Sequence, residues 1–327
     1  MSNILFVSIL FADESVLPEL SLRKSSGGDY EVFVDGKFFA RYMIDFEGTP
    51  IIYPIHGVNN KPMTRSFPME TSKDKESVDH PHHRSFWFTH GEVNDTNFWL
   101  SDKDTKNLGK IVHQKFTKAE SNKNNVILVT ENNWMAANGR NVICKDVRTF
   151  CFGAFENGDR FIDFDIVVTA NADKVTFYDT KEGTFGIRVA SAMEVDAARQ
   201  IAKNTKKEPT SYIVNAEGIT NDQAWAKRSA WVDYVGQIDN QTVGIAILNH
   251  PSSFRYPTYW HVRTYGLFAA NPFGERGFGI RKKNSQDSGN FEMKKNDNFT
   301  LKYRIILHKG DTKQAKIKDR FLKYSRL

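Results

Sequence analysis

Short alternating segments separated by turn residues constrain this chain more than anything else in it. Asp35-Gly36 stands between Tyr30–Val34 and Phe38–Tyr42, a strong hairpin signal. Val126–Thr130, Val142–Phe152 and Arg160–Thr169 read as strands, the last two joined by Glu156-Asn157-Gly158-Asp159. Along Arg160–Thr169, Phe161, Phe164 and Ile166 are apolar, while Asp163 and Asp165 take the other side or a sheet edge. Thr184–Ala190, Ala230–Val235, Val243–Leu248, Tyr259–Tyr265 and Phe299–His308 extend the series. Helical patterns are few. Asp222–Lys227 makes a turn or two, and Lys313–Tyr324 reads as a terminal helix with Asp311 or Thr312 as N-cap. Ser191–Thr220 shows no clear period and reads as a long loop of the kind that carries function. The expectation is an all-β fold. It is a large antiparallel β-sandwich of two stacked sheets over residues 17–327, in one domain, with a short C-terminal helix.

The 327 residues suffice to bury a core without disulfides or metals. Abundant Phe (25) and Tyr (11) suit half-buried strands. A net charge of +6 raises the question of nucleic acid, but Lys and Arg are interleaved with Asp and Glu, and basic runs such as Lys203–Lys207 are short. A nucleic-acid groove needs a continuous cationic stripe, so none is expected. Cys144 and Cys151 look like neighbouring strand positions, fit for one disulfide or two buried thiols. Ile4–Ala12 is a nine-residue apolar run before Asp13-Glu14. It fits the core of a secretory signal ending near residue 12, hence a periplasmic or secreted protein. Met1-Ser2-Asn3 lacks Lys and Arg, and a first strand in a cytoplasmic protein is the alternative. No apolar stretch approaches the roughly 20 residues of a membrane-spanning helix, so no membrane partner is expected.

Chemistry concentrates in two places. Asp79-His80-Pro81-His82-His83-Arg84, followed by His90, puts four of the nine histidines within eleven residues. Imidazole titrates near neutrality, so such density suits acid–base work or metal ligation. His80 and His82 with Asp79 would make a facial metal triad. Alternatively one imidazole protonates a substrate oxygen while Arg84 stabilises the anion. The second place is Tyr259-Trp260-His261-Val262-Arg263, preceded by His250 and leading into Asn271. On a strand, Tyr259, His261 and Arg263 share one face and Trp260 and Val262 the other. Aromatic faces beside charged forks are what sugars bind. Lys181-Glu182, with Arg188 beyond, offers an acid–base pair, with Glu182 as candidate general base. Arg65 and Asp233 are further polar groups without an obvious structural task. A Walker lysine loop, a GxGxxG after a strand and a GxSxG elbow are all missing from the sequence, which disfavours nucleotide, nicotinamide and serine-hydrolase chemistry.

The strings DHPHHRSFWFTHGEVNDTNFW (Asp79–Trp99), KEGTFGIRV (Lys181–Val189), WVDYVG (Trp231–Gly236) and HPSSFRYPTYWHVRTYGLFAANPFG (His250–Gly274) resemble a bacterial family labelled methane oxygenase PmoA-like. The resemblance runs from about Leu17 to the terminal helix and implies a family without a settled activity. Methane chemistry is not implied, since the membrane subunit whose name it borrows spans the bilayer repeatedly. The order of Arg65 and His82/His83 is also similar to galactose mutarotase-like supersandwich proteins, which bind sugars in a concave sheet. Their late Glu has no clear counterpart here, because Glu275 adjoins the NPFG turn and Glu182 comes early.

The function expected is a carbohydrate-active isomerase, lyase or hydrolase acting on a small-molecule carbohydrate. His82 or His83 would be acid, and Glu182 or Asp233 base. Arg65, His80, Arg84, His90, Lys181, Arg188, His250, Trp260, His261, Arg263 and Asn271 would hold the substrate. The alternatives are a non-catalytic carbohydrate-binding protein, or a metal-dependent oxygenase or hydrolase using His80 and His82. No cofactor is expected under the first two readings, and a divalent metal under the third.

Overall fold

A computed structural model gives the structure and describes residues 17–72, 76–101, 105–281 and 289–327. The apolar run Ile4–Ala12 lies outside the described residues.

Two eight-stranded antiparallel sheets face each other, as the alternation predicts. The first runs Leu20–Lys24, Tyr30–Val34, Lys37–Met43, Ile51–Ile55, Phe86–His90, Gly183–Arg188, Leu267–Asn271 and Tyr259–Val262 in spatial order. The second runs Tyr212–Asn215, Trp231–Ile238, Gln241–Asn249, Asn298–Lys309, Arg160–Ala170, Val142–Ala154, Asn125–Met135 and Lys110–Asn122. Phenylalanines from both sheets meet between them: Phe86 lies 5.0 Å from Phe164 and 4.7 Å from Phe185. Such tilted and edge-on contacts satisfy the ring quadrupoles while burying large apolar area. Arg160 bridges the layers by donating to the Phe38 and His56 carbonyls, both at 2.8 Å.

The outer faces differ. Asn125–Met135 alternates buried and half-buried residues along its whole length, as a strand with one wet face should. Phe86–His90 and Gly183–Arg188 are buried at every position. Their inward residues enter the core, and their outward residues, with Trp87 beside Trp99 and Leu267, are covered by the connecting loops. That covering is where the histidine-rich segment goes.

Two local expectations need correction, and one open alternative is decided. Ser191–Thr220 is not a loop throughout, since it holds a helix, Val195–Thr205, and a strand, Tyr212–Asn215. Val195, Ala198 and Ala202 form the buried stripe of that helix. The terminal helix is Ile317–Tyr324, preceded by Lys316, and neither Asp311 nor Thr312 caps it. Cys144 and Cys151 lie on one strand as free thiols, so they cannot pair with each other. Among the described residues no helix is long and apolar enough to cross a membrane.

Candidate functional site

The histidine-rich segment Asp79–Arg84 lies over the outer face of the first sheet, with His83 on Trp87, and Arg65 gives it shape. This fully buried guanidinium donates to the carbonyls of Phe67 (3.0 Å), Ser77 (3.3 Å), His80 (3.0 Å) and His83 (3.4 Å) and to Asp79 Oδ1 (2.6 Å). Burial and the neighbouring Arg188 pull its pKa down to about 10, still far above neutrality. Arg65 therefore acts as a scaffold for the loop, with its guanidinium engaged by main-chain oxygens and Asp79.

Arg188 extends the scaffold. Its Nη2 donates to Asp79 Oδ1 (3.0 Å) and Glu194 Oε1 (3.1 Å), and its Nη1 lies 3.0 Å from His83 Nδ1. A guanidinium only donates, so His83 Nδ1 must accept and the ring proton must sit on Nε2. Burial, then His82 and Arg188, push the His83 pKa well below the ordinary value. His83 is thus neutral, with its N–H on Nε2.

Asp79 is shared. Its Oδ1 takes the two arginines and its Oδ2 lies 2.7 Å from His80 Nδ1. Burial opposes the charge, but Arg188, His80 and Ser77 hold the carboxyl at about 2. The His80 ring is parallel to those of His83 (4.8 Å, 3°) and Tyr265 (5.2 Å, 5°). His83 in turn stacks on Trp87 at 5.5 Å. His80 also holds φ at 45°, a left-handed conformation that disfavours side chains and often marks functional loops.

The other wall comes from two strand ends. His261 Nδ1 donates to the Lys181 carbonyl at 2.9 Å, which leaves Nε2 as an acceptor, and burial lowers its pKa to about 3. Lys181 Nζ is 3.6 Å from Glu182 Oε1. Burial raises the Glu182 pKa against the opposing effect of Lys181. The predicted strand Tyr259–Tyr265 stops at Val262, because Arg263–Gly266 turns with Gly266 at φ +99°. That turn brings Arg263 and Tyr265 to the same hollow.

His80, His82, His83, Lys181, Glu182, His261, Arg263 and Tyr265, with Leu100 and Leu267, line one cavity of about 290 Å³. It lies towards the small end for a ligand site, with room for one sugar residue. The histidine-rich loop and the Trp-His-Arg strand thus converge.

Several expected site residues lie elsewhere. Asp233 is sealed on the outer face of the second sheet, between His308 Nε2 (3.0 Å) and the Thr312 hydroxyl (2.6 Å). His250 pairs with Ser252 and packs on Tyr324 of the terminal helix. Trp260 belongs to the core, where its indole N–H donates to the Ser229 carbonyl. His90 faces the core against Phe177 and Phe273, with Nε2 2.8 Å from the Tyr178 carbonyl. Arg84 is buried beside Glu47. Asn271 donates to the Thr180 carbonyl and so steadies the chain just before Lys181. Conversely Glu194 and Tyr265 are not among the expected site residues, and Asp79 is expected only as a metal ligand, although Asp79 and Tyr265 stand within the two motifs. Among the described residues no group of three His, Cys, Asp or Glu is arranged to hold a metal ion, and His80 Nδ1 is already bonded to Asp79.

The family of unknown function DUF6807 has a model that matches residues 29–321. The chain belongs to that family. No curated protein matches it. Among solved structures, a polysaccharide lyase is similar at 10% identity and TM-score 0.31, covering 90% of this chain and 33% of the lyase. A 4-alpha-glucanotransferase from Thermococcus litoralis gives 13% identity and TM-score 0.32, covering 88% of this chain and 40% of the transferase. A GalM/aldose epimerase homologue from C. elegans gives 8% identity and TM-score 0.32, covering 90% and 100%. The chain thus spans well under half of the first two, and identities this low say nothing about which residues act.

Proposed function

We propose that this DUF6807 protein is a carbohydrate-active enzyme that moves protons on a sugar or glycoside held in the histidine-lined cavity. The observation that carries this reading is the hydrogen-bonded Asp79–His80 pair opening onto the same hollow as Glu182. The ionised Asp79 fixes the His80 proton on Nδ1 and leaves Nε2 to take or give a proton. Glu182, whose pKa burial raises, supplies a second proton carrier. His83 offers a fixed N–H and His261 a fixed lone pair, suited to one hydroxyl each. An isomerase, a lyase and a hydrolase all use such an acid–base pair.

The test is turnover, followed by NMR, on a panel of free sugars and glycosides. Each of His80→Asn and Glu182→Gln is expected to lower kcat by about 10²- to 10⁴-fold with sugar affinity largely retained. Undiminished turnover in both variants would sink the assignment. A second reading, sugar binding without catalysis, is favoured by the neutral, fixed states of His83 and His261. It predicts sugar binding with no turnover in the wild type.

A further inference from the structure

The arginines around the cavity differ in what their N–H groups already do. Arg65 and Arg188 are held by carbonyls, carboxylates and a histidine, as described, and Arg84 lies beside Glu47. Arg263 is arranged otherwise. Its backbone is pinned, with N donating to Leu267 O at 2.8 Å and O accepting from Gly266 N at 3.0 Å and from the Tyr234 hydroxyl at 3.3 Å. Its guanidinium lies against two rings, 5.5 Å from Trp225 and 5.7 Å from Tyr265. No hydrogen bond or ion pair from any described residue engages its five N–H donors. Stacking on aromatic rings fixes the plane of the fork without using those donors.

The charges on the cavity wall point the same way. Among the lining residues the carboxylate of Glu182 offsets one of the two fixed cations, Lys181 and Arg263, which leaves one net positive charge on the wall. A planar fork with two parallel N–H groups matches a carboxylate edge-on. A single unbalanced cation matches one negative charge better than the double charge of a phosphate monoester.

We infer that the ligand carries a carboxylate, as a uronic or aldonic acid does, and that Arg263 grips it by a two-pronged hydrogen bond. The sugar part of this inference rests on the function proposed above, and the carboxylate part stands on Arg263 alone.

The experiment is calorimetric titration of the full chain with glucose, galactose, their uronates, glucose 6-phosphate and glycerate, in wild type, Arg263→Gln and Arg263→Lys. A uronate is expected to bind the wild type at least about tenfold more tightly than its parent sugar. Arg263→Gln should erase that preference, whereas Arg263→Lys should keep part of it. Neutral sugars binding as tightly as uronates, sugar phosphate binding best, or a preference that survives in Arg263→Gln would each overturn the carboxylate inference and leave the sugar reading standing. Arg263-dependent binding of glycerate without binding of any sugar would support the carboxylate subsite and overturn the sugar reading. Binding of none of these ligands would end both. Should Arg263→Gln fail to fold, the wild-type comparison of uronate with parent sugar decides the matter.

Discussion

Among the described residues each sheet carries one aspartate–histidine pair on its outer face, and the two pairs live in different surroundings. Asp79 and His80 lie at 2.7 Å with side chains 37% and 41% exposed, at the edge of the cavity. Asp233 and His308 lie at 3.0 Å with both side chains at 0%. The sealed pair has every partner it needs, because Thr312 closes the second Asp233 oxygen and ties the approach to the terminal helix down onto the sheet. The open pair has its carboxylate saturated by two arginines while its imidazole lines a hollow. The same two residue types make a fastener where water is excluded and, on the function proposed above, a proton-handling group where a ligand can reach them.

The largest expected effect tests the fastener. Asp233→Ala strands the buried His308 and should lower unfolding free energy by about 3–5 kcal/mol in urea denaturation, with turnover per folded molecule unchanged. Loss of turnover at full stability would return Asp233 to the catalytic list. Next comes pH. His83, His90 and His261 all have pKa values lowered by burial from the ordinary 6.5, His90 to about 4 and His261 to about 3. Below 6.5 the unfolded chain takes up protons that the folded chain refuses. Their contribution is therefore complete above that value and declines as pH falls towards the folded values, by up to about 1.4 kcal/mol per pH unit for each histidine. His308 has the opposite sign. Burial disfavours its charge, but Asp233 outweighs burial and raises its pKa, so its contribution is complete below 6.5 and is lost as pH rises through the raised value. Denaturation series across pH should show the acid-side decline in the wild type and in His308→Gln alike, with any alkaline decline missing from the variant. A flat acid limb would contradict the neutral states assigned to the cavity imidazoles. The smallest expected shift is at the open pair, where His80→Ala should change stability by less than about 1 kcal/mol, since both side chains are part-exposed. A larger loss would make His80 a structural residue like His308.

The strands were legible because their burial alternates. Val126–Thr130 and Arg160–Thr169 fall inside the strands Asn125–Met135 and Arg160–Ala170, and Asp35-Gly36 is the hairpin turn between paired Val34 and Lys37. The helix Val195–Thr205 was missed because its buried stripe is narrow and made of one valine and two alanines. At the site, motif density located the two segments that meet, but not what each side chain touches. Asp233 and His308 are 75 residues apart in sequence, so nothing local announces that the aspartate already has a partner. Trp260 and His261 alternate as a strand requires, one into the core and one into the cavity.

The way Arg65 holds its loop has a consequence for how such a site varies. Four of its five hydrogen bonds are to main-chain oxygens, which every amino acid supplies, and only Asp79 accepts one through its side chain. The hydrogen bonds of Arg65 therefore place no demand on the side chains at positions 67, 77, 80 and 83. A lineage can retool what the hollow accepts without having to reinvent the wall that encloses it.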